Sequence, residues 1–459
     1  MILRRLFSQL GSGLVGNISA LSLALLVQLV VALVTIPIFA HLWGLEDYGV
    51  WLILFTIPAY VSLADFGFIG AAANAMTASA AQGDDASAAT IYRELTGANF
   101  MLGLAVLLLV TLALVQGVPG WLAFADGATG GFTALTVFAL TAYAVFALWS
   151  RALLSALRAS RHFAKGAYCI AATALLDVIL AAGFAWFGGG LAGAALGYAL
   201  GQATGLFAML VLTRHFAPQF LPAIFTASLR HLEALAGPAI ALIIIAVGQV
   251  ILLQGTVVVL GMAAGAAAVP AFTAMRTLAR LGVQAVAVIN QAVMPELTMA
   301  RARMDADRST DLVAFNLGIA LLLVIPGAIV LALFGSEIVA LWSNGIIQAS
   351  ATLALVMAGI LIAGGLWGAL ASFLTAINQQ ARFALPLLIA STAGLALAWP
   401  LSTSFGASGT AMAVLMVETL MLIWSFRQAK RAGLIDQNIV LSSPRKTLSM
   451  LRGRLAPAR

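Results

Sequence analysis

Charge is what this chain has least of. Only 8% of its 459 residues are Asp, Glu, Lys or Arg, while 63% are hydrophobic, and the mean hydropathy is +1.07. Soluble domains are about one quarter charged, so the composition excludes them. Also missing is any long polar stretch that could form an enzyme domain outside a membrane. The single cysteine, Cys169, rules out an intramolecular disulfide and, lying in an apolar segment, reads as a small buried hydrophobe. The four histidines, His41, His162, His215 and His231, are scattered near the ends of apolar runs without metal-ligand spacing. No Gly-x4-Gly-Lys-Ser/Thr loop is present, which excludes ATP hydrolysis by that route. The chain is therefore not expected to be an enzyme, and no metal or cofactor is expected.

What is present is a recurrence of apolar runs, each about 20 residues or more, the length a helix needs to cross a bilayer. Read against their polar breaks they give about twelve spans, at 14–42, 49–78, 97–117, 131–157, 166–187, 190–213, 237–260, 265–296, 311–334, 350–376, 383–400 and 406–427. The expected fold class is an all-α polytopic membrane protein. The first run follows Arg4 and Arg5 but is too long for a signal peptide, so it is expected to stay as a span. Alternation of the spans sorts the loops into two sets, and every lysine and arginine outside the spans falls in one of them. The opposite loops, at 43–48, 118–130, 188–189, 261–264, 335–349 and 401–405, have none. By the positive-inside rule both termini are expected in the cytoplasm, which also accounts for the net charge of +7 without a nucleic-acid partner. Trp43, Trp51, Trp121, Trp186, Trp342 and Trp399 fall near the outer ends of spans, as an interfacial belt should.

The two halves resemble each other. Leu154-Ser-Ala-Leu157 followed by Phe163-Ala164 recurs as Leu374-Thr-Ala-Ile377 followed by Phe383-Ala384, and Gly190-Leu-Ala-Gly193 recurs as Gly406-Ala-Ser-Gly409. Two six-helix lobes are therefore expected, 1–216 and 237–427. Between them 217–236 reads as an amphipathic linker on the cytoplasmic surface, and 428–459 as a basic cytoplasmic tail near anionic headgroups.

Two arginines sit where hydrocarbon is expected. On the segment Ala267–Glu296, helical spacing puts Thr273, Arg276, Thr277, Arg280, Gln284, Asn290 and Gln291 in one sector, with Met275, Leu278, Val286, Ile289 and Val293 opposite. A guanidinium near a bilayer centre costs roughly 3 kcal/mol or more and persists only where it faces protein or a water-filled cavity. Arg276 and Arg280 are one turn apart, so their planar forks can share the oxygens of a phosphate or diphosphate. In the alternative reading each pairs with an intramembrane carboxylate, such as Asp65 or Glu418, and locks helices together.

Polar residues inside the spans are unevenly shared. Spans one, two, seven and eight hold Asn17, Gln28, Asp65, Asn74, Gln249, Gln254 and the arginine segment. These helices are expected to line a cavity, with Gln28, Asn74, Gln249, Gln254 and Gln284 as candidate substrate contacts beside the arginines; the alternative is amides that join helices. Pro37, Pro58, Pro238 and Pro270 in the same helices read as bends. Asp65, Asp177 and Glu418 lie at membrane depth and are candidates for coupling transport to a proton or sodium gradient, or for gating. Each has a structural alternative, which for Asp65 is a helix cap or a pairing with Arg151.

The stretch Ile36-Pro-Ile-Phe-Ala-His-Leu-Trp-Gly-Leu-Glu-Asp-Tyr-Gly-Val-Trp51, with Leu63-Ala-Asp-Phe-Gly67 and Ala71-Ala-Ala-Asn74, resembles the opening of the bacterial lipid-linked oligosaccharide flippases. These form the O-antigen and polysaccharide-transport branch of the multidrug/oligosaccharidyl-lipid/polysaccharide (MOP) exporter superfamily. Phe272-Thr-Ala-Met-Arg-Thr-Leu-Ala-Arg280, Met294-Pro-Glu296 and Leu341-Trp342 extend the likeness through the second half. The resemblance implies two six-helix lobes around a central cationic cavity. It also implies flipping of an undecaprenyl-diphosphate-linked oligosaccharide across the bacterial inner membrane for lipopolysaccharide or other surface polysaccharide. Glycosyltransferases and a polymerase are the implied partners. The first span lacks the cavity arginines of the related lipid II flippases, which argues against peptidoglycan precursor as cargo. The rival readings are a multidrug or cation antiporter of the same superfamily and, from another class, a membrane-embedded polysaccharide polymerase or ligase.

Overall fold

The structure, a computed structural model, describes residues 12–65, 67–117, 122, 125–225, 230, 236–302, 305–376 and 379–435. Among these, regular structure is helical throughout, and nine stretches are long and apolar enough to cross a bilayer. The chain divides into two compact units, Met1–Ile243 and Ile244–Arg459. The first holds α1 (Ser12–Leu54), α2 (Ile57–Ser62), α3 (Phe68–Ala81), α4 (Asp85–Val115), the single turn α5 (Asp126–Thr129), α6 (Thr133–Ala159), α7 (Phe163–Phe184) and α8 (Gly190–Phe216). Helix α9 (Ala236–Val250) carries the chain into the second unit, which continues with α10 (Thr256–Ala264), α11 (Val269–Ala302), α12 (Ala306–Trp342), α13 (Ala351–Ala376) and α14 (Ala381–Arg431).

Three of the nine stretches are folded double. In α1 the Trp43 and Trp51 rings lie 5.4 Å apart and Phe39 and Trp51 5.8 Å, whereas twelve residues of straight helix would separate them by about 18 Å. Gly44, at φ 72°, makes the reversal. The hairpin of α7 and α8 turns at Gly188 and Gly190, and α14 turns at Gly406. With these reversals the nine stretches account for the twelve spans read from the sequence. Gly190 (φ 55°, ψ −148°) and Gly406 (φ 55°, ψ −135°), the two glycines matched by the internal repeat, share one backbone conformation that a side chain would strain. The repeat extends to helix starts: Asp84 caps α4 by accepting from the Ser87 N–H, and Asp305 caps α12 by accepting from the Arg308 N–H, both at 2.9 Å.

Small residues let the hairpin close. A Cβ on Gly197 would lie 2.5 Å from the Ala181 backbone nitrogen, and Cβ atoms on Gly201 and Gly205 would overlap Asp177 and Thr173. Successive turns of α8 thus press on α7, the packing expected of a small-xxx-small run. The outer surface is broadly apolar, as lipid contact requires: Leu108, Leu109 and Val115 on α4 are 59%, 66% and 79% exposed.

Local differences from the sequence reading have physical reasons. Of these four prolines, Pro58, Pro238 and Pro270 fall in the first turns of α2, α9 and α11, where no amide donor is needed, and Pro37 alone is interior to its helix. The second span breaks at Gly67 (φ 70°), between the 3-10 turn Leu63–Asp65 and α3. Asn290, assigned to the wet sector of α11, is buried and accepts a hydrogen bond from Asn316 Nδ2 at 2.9 Å, because α12 packs on that end of the helix. After α8 the chain runs without regular structure over 217–225; the rest of the expected linker, apart from Arg230 and Ala236, and the tail from 436 lie outside the described residues.

Candidate functional site

Helix α11 sets out the arginines and α13 and α14 face them. Arg276 and Arg280 share with Gln249 and Glu418 the lining of a cavity of about 250 Å³ within the second unit. Met275, Ala279 and Val286 of the same helix are buried, so the apolar sector fixes the rotation that turns the arginines into the cavity. Arg276 is half-buried; its Nη1 donates to the Leu253 carbonyl oxygen and its guanidinium lies 5.1 Å from the centre of the Phe272 ring. That carbonyl belongs to a π-helical turn, Ile251–Gly255, which interrupts the α-ladder between α9 and α10. Arg280 is exposed to the opening.

Glu418 on α14 lines the same cavity and accepts a hydrogen bond from the Trp367 indole of α13. It interacts electrostatically with Arg280, but among the described residues no ion pair closes on either arginine. The cavity thus holds two guanidinium groups against one carboxylate. Gly364 leaves room for that carboxylate, since a Cβ there would lie 3.3 Å from Oε2, and Gly368 borders open space. Neutral partners hold Arg276 without cancelling its charge, and in low dielectric that charge attracts anions strongly.

The first unit has its own polar cavity, of about 170 Å³, lined by Gln28, Tyr143, Arg151, Asp177 and Gln202 among others. Asp177 is 3% exposed and its Oδ1 has no hydrogen-bond partner. Gln202 Nε2 donates to Ser150 Oγ at 3.4 Å on the cavity wall. Arg151 lines this cavity with Asp177. A buried carboxylate with an oxygen free of hydrogen bonds, in a wall that also offers neutral oxygens, is chemistry suited to a small cation or a proton.

The candidates read from the sequence therefore separate. Arg276, Arg280, Gln249 and Glu418 meet in one cavity, Gln28 and Asp177 in the other. Gln284 is exposed one turn beyond Arg280, and Gln254 is half-buried in the π turn; neither lines the cavity. Asn74 is exposed and accepts from Arg158 Nη2 at 3.0 Å, joining α3 to α6 on the basic-loop side. The Asp65 side chain lies outside the described residues. Trp367 and Tyr143 carry no assignment from the sequence, and Phe272 none beyond its place in the family-like stretch. Trp367 had a signal, since it is a tryptophan away from the outer belt, and the Leu253 carbonyl, a backbone group, had none.

No family model matches the chain, and no curated protein matches it by sequence. Solved structures do match. An inward-facing multidrug resistance MATE family transporter of the MOP superfamily superposes with a TM-score of 0.75 at 14% identity, covering 91% of this chain and 98% of that one. The lipid II flippase MurJ, in an inward closed conformation, gives 0.69 at 13% identity over 95% and 93%. An outward-facing MATE family transporter gives 0.65 at 14% identity over 92% and 96%. The fold of this chain is the one shared by these MOP-superfamily transporters.

Proposed function

We propose that this protein is a transporter that flips an undecaprenyl-diphosphate-linked oligosaccharide from the cytoplasmic to the outer leaflet by alternating access, for cell-surface polysaccharide such as O-antigen. The observation that carries this reading is the pair Arg276 and Arg280 in one cavity with a single carboxylate, neither closed into an ion pair among the described residues. Adjacent guanidinium forks fit a diphosphate, and Gln249 supplies an amide for the first sugar. The placement is the bacterial inner membrane with both termini cytoplasmic, and the partners are the glycosyltransferases and polymerase that make and use the cargo. The decisive experiment is flipping of a fluorescent lipid-linked oligosaccharide in proteoliposomes. Flipping is expected to fall to background in the Arg276→Ala/Arg280→Ala variant while the protein inserts normally, and retained flipping would defeat the reading.

One observation favours a second reading, a cation or drug antiporter: the buried Asp177 carboxylate in the first unit, whose Oδ1 accepts no hydrogen bond. The two readings part on cargo charge. Export of organic cations by reconstituted protein, unaffected by the arginine substitutions, would favour the antiporter. If the flippase reading holds, Asp177 serves as its coupling site for protons or sodium.

A further inference from the structure

A second cavity in the first unit holds none of the residues on which that reading rests. It is a groove of about 410 Å³ between α4, α6 and α8, and its lining includes Phe100, Trp149, Ala203, Phe207, Arg214 and Ile224. Almost all of it is apolar, and Arg214, on the last turn of α8, is the one charged residue in its wall among the described residues. Phe207 and Ile224 are 68% and 57% exposed, so the groove opens on the outer, apolar surface of the unit.

Its length has a meaning. Ala203 and Arg214 mark its two ends along α8, and eleven residues of helix span about 16 Å. Half of a bilayer's hydrocarbon core is about 15 Å. The groove is therefore one leaflet deep, with a cation at headgroup height on the side of the basic loops. The floor at that end is fixed: the Ala223 N–H donates to Thr96 Oγ1 at 3.0 Å, and the buried Phe220 ring meets Tyr92 edge to face at 5.5 Å. On the same strap Leu221 and Phe225 are 64% and 70% exposed, as befits chain lying at the boundary between headgroups and acyl tails. The inner wall is rigid, with Phe100 stacked on Trp149 at 4.7 Å and the Trp149 indole donating to the Asn99 carbonyl at 3.0 Å.

We infer that this groove holds a resident anionic phospholipid, one acyl chain lying along Phe207 and Trp149 and the phosphate on Arg214. A chain supplies the apolar filling, and a lipid with net negative charge gains more from the guanidinium than a zwitterionic one does. The occupant is a structural lipid of the inner leaflet and not cargo.

The test is native mass spectrometry of the full-length protein released from detergent with phosphatidylglycerol or phosphatidylcholine of identical chains. Wild type is expected to retain phosphatidylglycerol about fivefold better, the value of one basic residue near the headgroups. Arg214→Gln should remove the preference while leaving residual binding of both lipids. Ala203→Phe, which fills the deep end, should remove both, with an unchanged melting curve as the check on folding. Equal retention of the two lipids by wild type, or undiminished retention by Ala203→Phe, overturns the inference. So does one-for-one displacement of the phospholipid by a polyprenyl phosphate, which would assign the groove to the cargo's tail.

Discussion

The two halves turn the same corner on the same residue and then furnish their cavities with a different balance of charge. Gly190 and Gly406 reverse the chain with matching φ and ψ, and Asp84 and Asp305 cap corresponding helices. Yet the cavity of the first unit sets one buried carboxylate, Asp177, beside one guanidinium, Arg151, and that of the second sets two guanidiniums against one carboxylate. Backbone geometry is held in common because the corner uses a backbone region that glycine alone enters without strain. Side chains lining a cavity carry no such constraint, so duplication of a fold can end in division of labour. On this view the first unit handles a cation and the second an anion.

The largest expected effect tests the second cavity. Arg276→Ala/Arg280→Ala should bring flipping of a diphosphate-linked lipid to background. Either single substitution by glutamine should cost about tenfold to a hundredfold in affinity, the range for a hydrogen bond to a charged group. Binding measured by scintillation proximity on purified protein reads this directly. Asp177→Asn should abolish the response of transport to imposed proton or sodium gradients while leaving cargo binding within about twofold, since a neutral amide cannot exchange charge with the solvent. If Asp177→Asn weakens cargo binding as much as the arginine substitutions do, the division between cavities is wrong.

A smaller effect tests what the halves share. Gly190→Ala and Gly406→Ala each force a side chain into a backbone region that only glycine occupies comfortably, at a cost of about 1–3 kcal/mol. The two losses, read from unfolding in detergent, should agree closely, because the corners agree. A large loss at one and none at the other would break the structural repeat. Gly197→Ala is expected to add a clash with the Ala181 backbone and to destabilise by about 1–3 kcal/mol through overpacking.

Much of this is legible in the sequence. Twelve spans followed from apolar runs, and the repeat from Gly190-Leu-Ala-Gly193 and Gly406-Ala-Ser-Gly409, because hydrophobic length and obligatory glycine are written locally. Arg276 and Arg280 stood out because charge at membrane depth is rare. Their surroundings did not. Glu418, which shares their cavity, lies 138 positions further along the chain than Arg280, and nothing local says which carboxylate among Asp65, Asp177 and Glu418 meets them. Asn74 and Asn290 looked like cavity amides and are instead helix joints with Arg158 and Asn316, since an amide's role depends on which neighbour reaches it.

The smallest predicted effect probes how the second cavity keeps a carboxylate without cancelling its own charge. The Trp367 indole donates to Glu418, which offers that carboxylate a partner other than Arg280. Trp367→Phe keeps an aromatic ring packed near Phe383, whose ring centre is 6.3 Å away, but removes the donor. Glu418 then turns to Arg280 and competes with the cargo, so affinity should fall by about fivefold, the value of one hydrogen bond of about 1 kcal/mol. Glu418→Gln removes the competitor and should raise affinity, and in that background Trp367→Phe should have no further effect. A Trp367→Phe loss that persists beside Glu418→Gln would mean that the indole touches the cargo itself, and that the second cavity differs from the first in its walls as well as in its charge.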